Sequence, residues 1–149
     1  MRVSDFLTDQ QVRFEKLLHP PAFTAQKRAK YLHVPGRQVA KSVLLRGPDG
    51  WFLAVLPAPR HIDTARLADA LGGPVRLATD REAAEVFLDC EWGVVPPFGR
   101  LYGLPVVLDE QLNPDALMVF EGNLHAEAVR LRCRDFERLE RPRRLAFAC

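Results

Sequence analysis

Two stretches of the chain carry residues whose types and spacing could do chemistry. The first is Val39 to Arg46, read as a strand, in which side chains alternate between two faces. One face carries Val39, Lys41, Val43 and Leu45, and the other Ala40, Ser42 and Leu44. Lys41 therefore shares a face with three aliphatic residues. Such a lysine either snorkels out at the strand end or is held in a pocket. In a pocket it would bind an anion or stabilise negative charge developing in a transition state. The second stretch is Gly93-Val94-Val95-Pro96-Pro97-Phe98-Gly99. Glycine lets the main chain approach a ligand and proline stiffens its neighbours. This loop either presents backbone amides to an ester carbonyl or ribose, or is a rigid connection.

Some chemistries find no support. Cys90, Cys133 and Cys149 form no CxxC pair, so no zinc site of the usual spacing is indicated. They read as free thiols in a reducing cytosol. There is no Walker A loop and no GxGxxG fingerprint, which argues against a nucleotide enzyme. No apolar run approaches the ~20 residues of a membrane span. The N-terminus lacks the basic-then-apolar layout of a signal peptide.

These candidates need elements to hold them. A first helix is expected over Asp5 to Leu18, capped by Ser4 or Asp5 and stopped by Pro20-Pro21. Thr24 caps a second helix through Leu32, with Lys27, Arg28 and Lys30 on its wet side. Gly47-Pro48-Asp49-Gly50 joins the strand of Lys41 to Trp51–Leu56 in a hairpin. Helices follow at 62–71 and, behind the capping box Thr79-Asp80-Arg81-Glu82, through Phe87. Short strands are read at 75–78, 104–108, 117–120 and 126–132, and a last helix at 135–139. The tail after Pro142 is expected to be loosely held. Hairpins break any strict βαβ alternation, so the fold class is α+β on a mixed sheet.

The whole is one domain, residues 1–149. With 48% hydrophobic and 27% charged residues it has the composition of a globular chain. Its formal charge of +2 excludes a strongly basic nucleic-acid coat and leaves room for a local basic patch.

Several segments in order resemble the YbaK/ProX family of aminoacyl-tRNA deacylases, which are similar to the editing insertion of bacterial prolyl-tRNA synthetases. They are His19-Pro20-Pro21-Ala22-Phe23-Thr24-Ala25-Gln26, Val39-Ala40-Lys41-Ser42-Val43, Leu53–Pro57, Gly93–Gly99, Val106-Val107-Leu108-Asp109 and Phe120-Glu121-Gly122-Asn123-Leu124-His125. The resemblance implies a mixed, partly barrel-like sheet surrounded by helices. It implies hydrolysis of the ester joining a wrong amino acid to tRNA, without a cofactor. The family's lysine falls on Lys41, its GxxxP loop on Gly93 and Pro97, and its late acid on Asp109. Gly122, Asn123 and His125 fall where the family contacts the terminal adenosine or the amino acid. Phe98, Gly99 and Thr24 join this substrate-binding set. Phe23 stands where relatives often have tyrosine, so a role for that hydroxyl is lost or passes to Thr24.

The expected mechanism has water attacking the carbonyl, with backbone amides near Gly93 stabilising the oxyanion. Lys41 holds the terminal phosphate or ribose, and a ribose hydroxyl helps position the water. No strong general base is evident in the sequence. His125 is either that titratable group or a turn histidine that packs. Asp109 either orients Lys41 or caps the turn before Asn113-Pro114. The pocket is expected to be small, since size exclusion spares larger amino acids, and the resemblance implies alanine, cysteine, serine or threonine as the group removed. Arg37, Arg46, Arg60 and Arg100 are candidates for a basic rim. The implied partners are the aminoacyl-tRNA acceptor end and a synthetase, not DNA or a membrane, with a cytoplasmic setting. Two rivals remain: a non-catalytic module for an RNA end or small ligand, and a cysteine hydrolase pairing Cys90 or Cys133 with His125.

Overall fold

The hairpin around Pro48-Asp49 is the spine of the structure. In the computed structural model, which describes residues 1–149, β2 (Ala40–Gly47) and β3 (Gly50–Pro57) pair antiparallel along their whole length. Gly50 turns the corner with a φ of 121°, a conformation other residues rarely adopt. Three further strands widen this sheet: β4 (Arg76–Leu77), β5 (Val106–Asp109) and β8 (Arg143–Leu145). The order is β4-β2-β3-β5-β8, with β5 parallel to both β3 and β8. A second, antiparallel sheet is formed by β1 (Glu15–Leu18), β7 (Glu127–Arg132) and β6 (Leu117–Glu121), in that order. A single parallel bridge, Val39 to Val119, links the sheets. The mixed α+β architecture is as expected, but the two sheets do not close into one barrel.

Five helices surround them: α1 (Val3–Asp9), α2 (Ala25–Leu32), α3 (Thr64–Leu71), α4 (Asp80–Val86) and α5 (Cys133–Glu140). Three of them start where a cap residue dictates, whereas α1 and α5 begin after Arg2 and Arg132 with no side-chain cap, so neither Ser4 nor Asp5 caps the first helix. Thr24 accepts from Lys27 N–H, Asp63 from Arg66 N–H, and Thr79 with Glu82 forms the full capping box. None of these helices is long and apolar enough to cross a membrane.

The main core lies between the sheets, α1 and α5. Phe120 stacks on Phe136 with ring centres 4.7 Å apart, and Phe98 meets Phe136 edge-on at 5.5 Å. A second core fills the other face of the larger sheet, with Leu67 of α3, Leu56 and Phe147. A third, of small residues, seats α2 through Ala25 and Ala29 on Val39, Val119 and Ala128.

Three expectations are corrected. The single helix over 5–18 is instead α1 followed by β1. Val3, Phe6 and Leu7 already bury the face of α1, Gln11 takes a left-handed φ of 59°, and the chain then pairs with β7. Arg28 does not stay wet but is 2% exposed. The tail after Pro142 is not loose: β8 joins the sheet, and Phe147 is 1% exposed in the second core.

Candidate active site

The N-terminal end of α2, the start of β2, the end of β6 and the glycine–proline loop converge on one cavity of about 260 Å³. It is lined by Phe23, Thr24, Ala25, Gln26, Arg28, Lys41, Ser42, Gly93 and Glu121. Four segments thus bring together what the sequence separates by up to about a hundred positions. Three of the expected residues, Lys41, Gly93 and Thr24, meet here.

Lys41 is half-buried, and burial holds its pKa below the ordinary lysine value with no charged partner offsetting the effect. An ammonium kept in such a place is a standing demand for an anion. Ser42 beside it donates its hydroxyl to Val95 O, which ties the strand to the glycine–proline loop. Gly93 has a φ of 86°, and its N–H finds no acceptor within the protein.

The floor of the cavity is an ion pair that the sequence did not disclose. Arg28 Nη2 donates to Glu121 Oε1 at 3.4 Å, and Val95 N–H donates to Glu121 Oε2 at 3.3 Å. Arg28 Nε is buried without a partner. Burial pushes the Glu121 carboxyl above its ordinary value, while Arg28, the Val95 N–H and the charge on His125 pull it down. Arg28 gives no sequence signal, because helix periodicity placed it among solvated basic neighbours. Glu121 was visible only as part of a matched segment.

His125 sits behind Gly93 and is not free. Its Nε2 lies 2.7 Å from Trp92 O and its Nδ1 3.3 Å from Ala22 O. A carbonyl can only accept, so Nε2 carries hydrogen and donates. Phe23 packs on the ring at 4.5 Å, and a Cβ at Gly93 would stand 3.6 Å from His125 Cε1. The ring therefore braces the loop and Phe23. His125→Ala is expected to lower stability by about 1–3 kcal/mol through the lost packing and unpaired carbonyls. The pH–rate profile should keep its shape, and the check is a thermal melt beside that profile. A lost limb would show that His125 titrates in the reaction.

The other expected residues lie elsewhere. Asp109 is buried and does not line the cavity. Its Oδ1 accepts from Phe147 N–H and Ala148 N–H, and its Oδ2 from Gln111 N–H. These contacts tie it to the backbone two residues on and to the C-terminal tail. Phe98 belongs to the main core and Pro97 precedes it. Gly99 is required by packing, since a Cβ there would stand 2.3 Å from Leu104 O. Gly122 leaves space for Glu127, whose Oε1 would lie 3.0 Å from an added Cβ. Asn123 is buried and accepts from Val3 N–H, so it anchors α1.

The thiols are not arranged as nucleophiles. Burial pushes both Cys90 and Cys133 up to about 11. Cys90 faces Tyr102 and Asn123, and Cys133 lies inside the main core. A thiol held protonated at neutral pH does not attack.

The basic rim divides in two. Arg37 and Arg60 line a neighbouring cavity of about 490 Å³. Gln26 of the Lys41 cavity donates to Ala58 O, between Pro57 and Pro59 of that neighbour. Arg46 stacks on Trp51 at the far end of β2, and Arg100 is tied to Glu140 and Leu139 O.

Comparison with known proteins shows the class of domain. Residues 19–139 match the family model described as the aminoacyl-tRNA editing domain, and the chain belongs to that family. The proline–tRNA ligase of Desulfitobacterium hafniense is 33% identical over 105 residues, 70% of this chain and 18% of the ligase. That of Thermosipho africanus is 32% identical over 74 residues, 49% of this chain and 13% of the ligase. The chain thus spans less than a fifth of the length of these relatives. Among solved structures, the hypothetical protein APE2540 superposes with a TM-score of 0.89 over 99% of both chains, at 19% identity. A protein named as a candidate trans-editing enzyme for prolyl tRNA synthetase superposes with a TM-score of 0.78, at 24% identity, over 90% of this chain and 85% of its own. These superpositions show a shared fold.

Proposed function

We propose that the chain is a free-standing deacylase that hydrolyses the ester of a mischarged tRNA carrying a small amino acid. The observation that carries this reading is Lys41, an uncompensated ammonium in the same cavity as the unpartnered Gly93 N–H. An ester needs modest help: a site for its 3′ end and a donor aimed at the oxyanion. Gly93 N–H supplies the donor. Lys41 holds the terminal phosphate or ribose and adds positive field. Phe23, 77% exposed at the mouth, offers a flat face for the terminal base, and stacking needs no tyrosine hydroxyl. A cavity of about 260 Å³ favours a small aminoacyl group and turns away large ones. Arg37 and Arg60 extend the basic surface along the incoming strand. Contact with one RNA end needs few phosphate contacts, which accords with a net charge of +2.

The test is a panel of tRNAs charged with alanine, cysteine, serine, threonine or larger residues. Release of at least one small amino acid, with larger ones spared, is expected. Binding of charged tRNA without release of any amino acid would instead leave a non-catalytic module for the RNA end.

A further inference from the structure

Water attacking an ester must lose a proton, and the side chains to which the resemblance assigns roles do not take it. His125 Nε2 is committed as a donor to Trp92 O, and Nδ1 faces Ala22 O. Both oxygens of Asp109 accept backbone N–H groups, outside the cavity. The Ser42 hydroxyl is spent on Val95 O. Lys41 and Arg28 are cations. One carboxylate lines the cavity, and it is Glu121.

Its setting suits a proton acceptor. The Glu121 side chain is 14% exposed, so it is reachable from the cavity yet shielded from bulk water. Its two protein contacts, 3.4 Å to Arg28 Nη2 and 3.3 Å to Val95 N–H, are both at the long end of hydrogen bonding and leave lone pairs unused. Arg28, itself 2% exposed with Nε unpartnered, grips it through one nitrogen instead of a bidentate fork.

We infer that Glu121 is the general base of the deacylation and that Arg28 is its positioning residue. The inference rests on the deacylase reading. As the water oxygen bonds to the ester carbonyl carbon, one water proton passes to the Glu121 carboxylate. The carbonyl π electrons move onto the oxygen, which faces the Gly93 N–H. The tetrahedral centre then re-forms its carbonyl and breaks the bond to the ribose oxygen. That oxygen leaves with the proton held by Glu121, and the carboxylate is restored. Burial opposes the ionised form of Glu121 and so brings its basicity toward the working pH, which strengthens it as a base. The groups acting on it are Arg28 from α2, His125 from the β6–β7 turn and the Val95 N–H, and Lys41 from β2 lines the same cavity without pairing to it. Arg28, His125 and the Val95 N–H favour the carboxylate and burial opposes it more strongly, so the base is ready only above a raised pKa and the rate should fall on the acid side.

The experiment uses a charged tRNA that the wild-type chain deacylates. Glu121→Gln should lower kcat by about 100-fold or more, keep KM within about threefold, and remove the acid limb of the pH–rate profile. Glu121→Ala should regain at least about tenfold of its lost rate in added formate, a small carboxylate that can replace the missing base. A Glu121→Gln rate within about threefold of wild type, or a Glu121→Ala variant that folds yet ignores formate, would overturn the assignment. If neither variant folds, Glu121→Asp carries the test. A lower kcat with the acid limb retained supports the base, and a flat profile overturns it. A wild-type chain inactive on every charged tRNA would overturn the deacylase reading itself, before any variant is made.

Discussion

Lys41→Ala is expected to lower kcat/KM for deacylation by about 10²–10³-fold, the scale of losing one preorganised electrostatic contact in a shielded site. The same change should leave the melting temperature unchanged or raise it. Lys41 is half-buried at the mouth of a cavity, burial depresses its pKa, and no carboxylate repays that cost. Removing it relieves the fold while disabling the site, the opposite of what a structural ion pair would do. Lys41→Arg should recover only part of the activity, because a planar guanidinium does not replace a compact ammonium in a cavity of about 260 Å³. Initial rates on a mischarged tRNA, paired with thermal melts, separate the two effects. Undiminished hydrolysis by Lys41→Ala would remove the lysine from the mechanism.

Asp109→Ala should act through stability. The carboxylate satisfies the N–H groups of Phe147 and Ala148, both buried, and of Gln111. Each buried donor left unpaired costs roughly 1–3 kcal/mol. We expect a loss of about 3 kcal/mol, or a drop of about 10 °C in Tm for a chain of this length. The C-terminal strand should fray first, since β8 and Phe147 are held to the sheet beside this carboxylate. Amide hydrogen exchange at residues 143–148 reads that directly. Asp109→Asn keeps one carbonyl oxygen for the tail and should lose much less. Its deacylation rate should stay within about threefold of wild type. A folded Asp109→Asn variant with a 100-fold lower rate would return Asp109 to the reaction.

Much of the fold was legible because its signals are local. Thr24, Asp63 and the Thr79–Glu82 pair cap helices through atoms three residues away, and Pro48-Asp49 turns the hairpin between neighbours. The misreadings share a cause of the opposite kind. Residues 15–18 form a strand because β7 offers an edge more than a hundred residues later. Residues 143–148 are ordered because Asp109 and the second core receive them. Neither partner can be inferred from the segment itself.

The site divides the same way. By itself the sequence determined that a lysine lies on an apolar strand face, that a stiff glycine-bearing loop exists, and that both fall in the pattern of one editing family. These are statements about side-chain alternation, backbone freedom and segment order, all of them written along the chain. Only the tertiary structure decided which groups share a cavity. It turned Arg28 inward onto Glu121, committed both nitrogens of His125 to carbonyl oxygens, and spent Asp109 on the tail. The physical reason is that a hydrogen-bonding group can be spent only once, and its partner is chosen by proximity in space.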